Sequence, residues 1–480
     1  MVVGAGPTGL LLAAELERRG VNCLLIDEGD TPRGWDRATV IHPRSLEIFE
    51  AIGVIDRLLG EGVRVRGARF RSGGRTLGEL NLGTETSSYG FDIGISEEVT
   101  ESVLIDYLEE QGGFVTRSTR LVGLRPGPDG CMAEIEQNGR GSEVSPEWIV
   151  GCDGFRSSVR DLAGIDLLGT QGESPWAVFD AATEGWREGY DLTFAHLDLP
   201  TVILTPLPGR RWRVYLRPGS DSSDLVADAT EVVRRYDPNV TFADIENPVR
   251  FRCQSGVASR FKAGRVLLAG DAAHVCSPTE GHGMNTGLQD AFNLGWKLAL
   301  VCRGLSGPGL LESYETERRP VALRIAQSGE DSEAAQSFRS REERLARDSG
   351  IRSTFANPKS AHPEIVAHAE LDRSYAGCGI VLGDANDLLS PGVRLPNTAP
   401  VHPFGGGEVP LHRETHRANH TLLVLGGPEA DAGQVLEAKR VLEGPIARSA
   451  MVDAVLGFSV QPATPDLGVG PRNVRQPLGR

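Results

Sequence analysis

At 480 residues the chain is longer than a single hydrophobic core usually supports, so two or three domains are expected. Its 40% apolar and 24% charged residues are those of a globular protein, and no apolar run approaches the roughly 20 residues that span a bilayer, which excludes a helical membrane protein. A formal charge of -15 without any dense Lys/Arg block excludes binding that relies on neutralising many phosphates, so nucleic acid is not an expected partner. The seven cysteines are scattered with neither CxxC nor metal-ligand spacing, which points to reduced thiols in a cytoplasmic protein and to no metal site. Cys23 and Cys152 lie in apolar strand-like runs and read as small buried hydrophobes.

In chain order, "MVV" reads as the tail of a strand, "GAGPTG" as a tight turn, "LLLAAELERRG" as a helix that stops at Gly20, and "VNCLLID" as a second buried strand. Strand, glycine turn, helix and strand open a parallel Rossmann-type sheet. The first strand is short against the roughly five or six residues expected, so the opening reads as cut off or misassigned. Residues 39–59 suggest two helices broken near Gly53, and a glycine-rich alternating stretch to Ile95 suits an antiparallel sheet. "ESVLIDYLEEQGG" is a further helix, after which short strands lead to the apolar run "WIVGCDG". Residues 166–255 alternate through "TVILTPL" and "RWRVYLRP", the pattern of a mostly antiparallel second domain. "RVLLAGDAAH" returns to a buried strand, and "NTGLQDAFNLGWKLALVCRG" is a long helix with an apolar stripe. An Arg/Glu-rich helical stretch to about Asp348 leads into a less regular connector. From about Tyr375 the texture is that of a small α/β domain, with a strand "HTLLVLG" and a helix near "GQVLEAKRVL", ending with no clear closing strand, so the far end also reads as cut off.

The chemistry-bearing segments are three. Gly4, Gly6 and Gly9 permit a tight turn and a close approach of backbone to a pyrophosphate at a helix N-terminus, where free N–H groups and the dipole favour negative charge. Asp27 closes the second strand, 23 positions after Gly4, where a ribose-hydroxyl acceptor belongs. "GCDGFRSSVR" places Asp153 and Gly154 at a strand end with Arg160 beyond. "LLAGDAAHVCSPTEGHGMNTGLQDA" places Gly270 and Asp271 at another, followed by Pro278 and a glycine-led helix start at Gly283, Met284 and Asn285. A structural turn at the glycines, and Asp153 as the cap of the next helix, are the plain alternatives.

Taken together, these segments resemble the fingerprints of class A, single-component FAD-dependent aromatic hydroxylases, of the phenol and polyketide hydroxylase type. The resemblance covers about residues 1–330. It implies an α/β fold: a Rossmann-like FAD-binding domain (1–165 plus 256–330, with 68–96 contributing to the substrate domain), an inserted antiparallel substrate domain (166–255), a helical connector (331–374) and a C-terminal thioredoxin-like domain (375–480). It further implies FAD and NAD(P)H as cofactors, O₂ and a small aromatic as substrates, no nucleic-acid or membrane partner, a monomer or homodimer, and hydroxylation through a flavin C4a-hydroperoxide. In the family the third-segment Asp bonds the ribityl chain, which falls on Asp271. Gly283, Met284 and Asn285 become flavin-ring contacts, and Asp153 and Arg160 serve both FAD and the passing NAD(P)H. Arg37, in "DRATVIHPRSLEIF", matches an arginine that contacts the flavin or its phosphates. The family often has Gln at the position of His282, and Gln at that of Glu97, where a carboxylate would repel phosphates. No side chain identifies itself as a base. Tyr215, in "RWRVYLRP", is a candidate for positioning a substrate phenol and equally a rim tyrosine, and His196 is a weaker candidate. The rival readings are an FAD reductase or epoxidase on the same sheet, and a non-catalytic FAD-binding partner or sensor.

Overall fold

The computed structural model describes residues 1–32, 38–84, 87–220, 222–338, 340–383, 390–395, 400–403, 409–426, 432–446 and 451–459. Short apolar runs form the heart of the first layer. Val2–Val3 pairs in parallel with Leu25–Ile26 on one side and Ile149–Gly151 on the other, with Val2 opposite both Leu25 and Val150. Val115–Thr116 and Val266–Leu268 extend this parallel sheet outward, and Lys262–Ala263 closes it antiparallel. Strands buried on both faces need not alternate, which is why they read as continuous hydrophobic runs. Helix Pro7–Glu17 starts directly after the first strand. It packs closely against the long helix His282–Cys302, where a side chain at Gly295 would meet the Glu15 Cβ at 2.8 Å.

The second layer is an eight-stranded sheet, antiparallel except where Thr193–His196 runs parallel to Gly67–Ser72. Strand alternation gives it two different faces. Ala177, Phe179, Leu204, Trp212, Val214 and Leu216 point to a closed core with helix Leu225–Arg234, whose first turn is capped by Asp224. The intervening positions face the other way, toward the first layer. Gly67–Ser72 and Arg75–Asn81 lie in this sheet, whereas Asp92–Gly94 pairs with Val40–Ile41 and Val63–Val65 in a separate small sheet beside the flavin-type segments.

Three helices follow: Glu312–Gln336, Arg341–Phe355 and Pro358–His368. The second is opened by a Ser340/Glu343 capping box and lies on the edge of the eight-stranded sheet, Phe355 stacking on Phe70 at 5.4 Å and Arg347 donating to the Leu197 carbonyl at 3.0 Å. The third helix lies within the expected helical connector although "PKSAHPEIVAH" carries two prolines; Pro358 sits in its first turn, where no N–H is needed, and Pro363 is accommodated inside it. In the C-terminal region His420–Gly426 runs parallel to Val452–Ser459 across helix Ala432–Ile446, so the closing strand that the sequence did not disclose is present.

The two layers and the long helices meet at one buried carboxylate. Asp290, with no exposure, accepts from the Gly270 N–H at 3.1 Å, from His274 at 2.5 Å and from Arg318 Nε at 2.7 Å. Arg318, equally buried, donates onward to the Thr286 carbonyl and the Tyr375 hydroxyl. Breaking such a buried pair costs about 3–5 kcal/mol because a charge is left unpaired in the interior. Arg318→Met is therefore expected to lower the thermal unfolding midpoint sharply, and an unchanged midpoint by calorimetry would contradict the assignment.

Candidate functional site

Between the parallel sheet and the free face of the eight-stranded sheet lies a cavity of about 1340 Å³. A typical small-molecule site occupies roughly 300–1,000 Å³, so this one has room for a large cofactor and a second ligand. Gly4, Gly6, Asp27, Asp153, Gly154, Asp271, Pro278, Gly283 and Met284 all contribute to its wall, as does Tyr215.

At one end the glycine turn leaves the backbone bare. Gly4 has φ +99°, and a Cβ there would lie 2.8 Å from the Asp153 Cα, so only glycine fits. Asp27 holds the turn by accepting from the Ala5 N–H at 2.7 Å and the Gly29 N–H at 2.9 Å, with Arg117 at 3.4 Å. Helix Pro7–Glu17 then begins at Gly6 with no side-chain cap, its first N–H groups directed at the space the glycines vacate. The helix His282–Cys302 likewise begins uncapped at Gly281, φ +72°, and Gly281, His282, Gly283 and Met284 line the cavity. Two uncapped helix starts, a bare glycine cradle and a strand-end carboxylate in one elongated cavity fit an FAD, its phosphates at the first helix and its ring system at the second.

Several sequence candidates lie behind this wall or brace it. Gly9 is a packing glycine, since a Cβ would run into the Gly4 carbonyl. Gly270, at φ +59°, lets the Asp271 turn pass Thr8 and gives its N–H to Asp290. Arg160 is buried and donates to the carbonyls of Phe155 at 2.7 Å and Ala272 at 3.2 Å, bracing the Asp271 turn from below. Asp153 does cap the next helix, accepting from Ser157 Oγ at 2.5 Å and the Val159 N–H at 3.1 Å, while burial pushes its carboxyl above the ordinary range. Asn285 is fully buried, its amide accepting from the His42 N–H and donating to the carbonyls of Val40 and Gly281, so it fixes the helix start. Arg37 lies outside the described residues. Glu97 and Glu101 both belong to the wall. The Tyr215 hydroxyl lies 2.8 Å from Thr39 Oγ1, and the neighbouring Arg213 is paired bidentately with Asp180 and donates to the Ala38 carbonyl, so this strand grips the segment that follows Arg37. His196 is fully buried and off the wall.

The opposite half of the cavity is mostly apolar, with Thr193, Thr205, Arg252 and Gln254 interspersed. Ala68, Phe70, Trp176, Ile203 and Phe251 supply the sheet side, and Ile351 and Phe355 close it from the helices. Trp176 has 1% exposure, and its Nε1 has no hydrogen-bond partner among the described residues.

Between the two halves stands a cluster that the sequence reading missed. His42 Nδ1 is 3.1 Å from Asp92 Oδ1, and His368 Nε2 is 2.9 Å from Asp92 Oδ2, so the carboxylate holds one imidazole on each oxygen. Burial works against the Asp92 anion, yet His368 and His42 together keep it well below the ordinary carboxylate range. His282 Nδ1 is 2.8 Å from Glu370 Oε1, and Gln289 also donates to Glu370. Burial opposes that anion as well, but the His282 hydrogen bond leads the interactions that hold it down to about 2. A folded-state value depressed from 4.5 contributes stability that is present above pH 4.5 and is lost as pH falls toward 2. Glu370→Gln is expected to flatten that part of the stability curve, measured by denaturant unfolding across the acid range.

Comparison with known proteins places this architecture. Residues 1–328 match the family described as "FAD binding domain". The chain is 35% identical over 336 residues to pentachlorophenol 4-monooxygenase of Sphingobium chlorophenolicum, covering 68% of this chain and 62% of that protein. It is 30% identical over 451 residues to a flavin-dependent monooxygenase of Mycobacteroides abscessus, covering 89% and 88%. Among solved structures, the OxyS anhydrotetracycline hydroxylase of Streptomyces rimosus superposes with a TM-score of 0.76 at 27% identity, over 95% of this chain and 89% of that one. The match thus spans less than two thirds of the length of some relatives and nearly the whole of others. A glycine cradle, two uncapped helix starts and these similarities carry the same conclusion: the chain belongs to the FAD-binding family of flavin-dependent monooxygenases.

Proposed function

We propose that the protein is an NAD(P)H-consuming, FAD-dependent monooxygenase that uses O₂ to hydroxylate an electron-rich aromatic, a phenol or an aromatic polyketide. The observation that carries this reading is the continuity of one cavity, which joins the dinucleotide cradle to an apolar chamber built on the free sheet face. Relatives named for pentachlorophenol and 6-methylpretetramide, and a neighbour named for anhydrotetracycline, support an aromatic substrate.

Bound FAD supplies the redox and oxygen chemistry; the protein supplies binding, orientation and exclusion of water. The chain's own residues divide that work. Asp27 would take the ribose hydroxyls and Asp271 the ribityl chain. The N–H groups at Gly283 and Met284 would face the electron-rich edge of the flavin ring, where the positive end of a helix dipole favours negative charge. Arg37, Asp153 and Gly154 would complete the cofactor and nicotinamide contacts, with Arg160 and Asn285 bracing them from behind. In the chamber, Phe70 and Phe251 offer aromatic surface to a planar ring. Tyr215 is in reach of the same space but shares its hydroxyl with Thr39, so it acts through that contact as well.

The purified protein is expected to be yellow and to oxidise NAD(P)H severalfold faster when a phenolic or polyketide aromatic is added, with hydroxylated product scored by mass spectrometry. Protein that stays colourless after FAD addition, or that turns over NAD(P)H with no product across a broad aromatic panel, would count against the proposal. Asp271→Ala is expected to lose FAD on gel filtration while matching the melting curve of flavin-free wild-type protein, and full flavin retention would remove Asp271 from the site.

A further inference from the structure

The hydroxylase reading leaves open what removes the proton from the ring hydroxyl whose electrons activate the substrate. Resting on that reading, we propose that His368 is the proton acceptor for the substrate hydroxyl, with Asp92 and His42 as the residues that position it.

The geometry is that of an oriented base. His368 ends the helix Pro358–His368 and stands on the cavity wall with its side chain 25% exposed. Its Nε2 is engaged by Asp92 Oδ2 at 2.9 Å, while its Nδ1 has no hydrogen-bond partner among the described residues. Asp92 is buried, and its other oxygen is held by His42, which is wedged between that carboxylate and the Glu280 carbonyl at 3.2 Å. One ring nitrogen fixed on a buried carboxylate and the other directed away is the arrangement that sets tautomer and orientation in a general base. The location also fits. Glu280 immediately precedes the glycine-led helix start, and His42 lies three positions beyond Thr39, which touches Tyr215 on the substrate sheet. The dyad therefore sits where the flavin end of the cavity meets the apolar chamber.

In the step itself the substrate O–H bond breaks and its electron pair stays on the ring oxygen. The proton forms the Nδ1–H bond of His368, the Nε2–H stays on Asp92, and the imidazolium later returns the proton to cavity water. The groups facing His368 are mainly anionic: Asp92 directly, with Glu280 and Glu370 beyond. The rings of His42, edge-on, and His282, tilted, lie at centroid distances of 4.5 and 6.2 Å, and Arg373 stands 3.9 Å from Glu370. Arg324 and Asp372, paired at 3.2 Å, share the same wall. Burial disfavours the imidazolium, but Asp92 outweighs it and raises the histidine above its ordinary 6.5. The base form is thus available above that raised value, and activity toward a neutral phenol rises with pH through it.

The test uses the FAD-loaded full chain and 4-nitrophenol, whose ionised form absorbs in the visible and whose neutral form does not. Wild-type protein below the pH at which free 4-nitrophenol ionises is expected to bind it as the phenolate. His368→Gln, which keeps a donor for Asp92 but has no Nδ1, is expected to bind it as the neutral phenol. With a weakly acidic phenol as substrate, His368→Gln should lower kcat by about 10²–10⁴-fold, and a substrate already ionised in solution should lose little. Asp92→Asn should move the acidic limb of the pH profile downward, since the carboxylate that raises His368 is gone. Imidazole added to His368→Ala should restore part of the rate, which a merely structural role would not allow. Unaltered ionisation of bound 4-nitrophenol in His368→Gln, with flavin content intact, overturns this inference and leaves the hydroxylase reading standing. Failure of the wild-type protein to bind or hydroxylate any phenol overturns both.

Discussion

A single buried carboxylate does the organising in this molecule. Asp290 is charged because Arg318 and His274 surround it, and it uses that charge to hold the Gly270 N–H, which fixes the turn bearing Asp271. The same Arg318 reaches the Thr286 carbonyl within the long helix and the Tyr375 hydroxyl in the segment that follows the helical connector. One ion pair thereby sets the relative position of the cofactor turn, the helix that faces the flavin ring and the start of the C-terminal region. The interior position is what makes it effective, because an unpaired charge there is costly and the alternatives are few.

A second buried pair does for the substrate side what Asp290 does for the cofactor side. Arg213 and Asp180 lie on neighbouring strands of the eight-stranded sheet, and Arg213 extends to the Ala38 carbonyl and Thr39. The loop that leads out of the Arg37 segment is therefore anchored to the sheet that builds the substrate chamber. Cofactor and substrate halves meet at fixed geometry because a strand of one grips a loop of the other.

Much of this was legible in the sequence where the signal is local. The glycines at 4, 6 and 9, the run of Leu10 to Leu12 and the strand end at Asp27 lie within one supersecondary unit, and each answers to a steric or electrostatic need of that unit. The roles of individual motif residues were less legible. Gly9 and Gly270 turned out to serve packing, and Asn285 and Arg160 to brace backbone, because a residue type at a motif position does not disclose which side of the turn it faces. The His42, Asp92 and His368 cluster was not legible at all. His368 and Asp92 are 276 positions apart, joined only by tertiary folding, and "PKSAHPEIVAH" discourages the very helix that delivers the histidine. The closing strand Val452–Ser459 was hidden for a related reason: its partner, His420–Gly426, is reached only across a helix. The α/β character of the C-terminal region is clear, while its narrower likeness to thioredoxin rests on the resemblance alone.

The helical stretch between the long helix and the C-terminal region has an outcome beyond closing the cavity. Ile351 and Phe355 from one helix and His368 from the next reach the substrate space, but the two are anchored differently: the first by the Phe355–Phe70 stack and Arg347 on the sheet edge, the second by Asp92 and by the hold of Glu370 on the flavin-facing helix. Ring size can thus be retuned by drift at Ile351 and Phe355 while the cofactor machinery stays untouched, whereas hydroxyl placement stays tied to it through His368. A lineage built this way can diversify its substrates by editing a cassette.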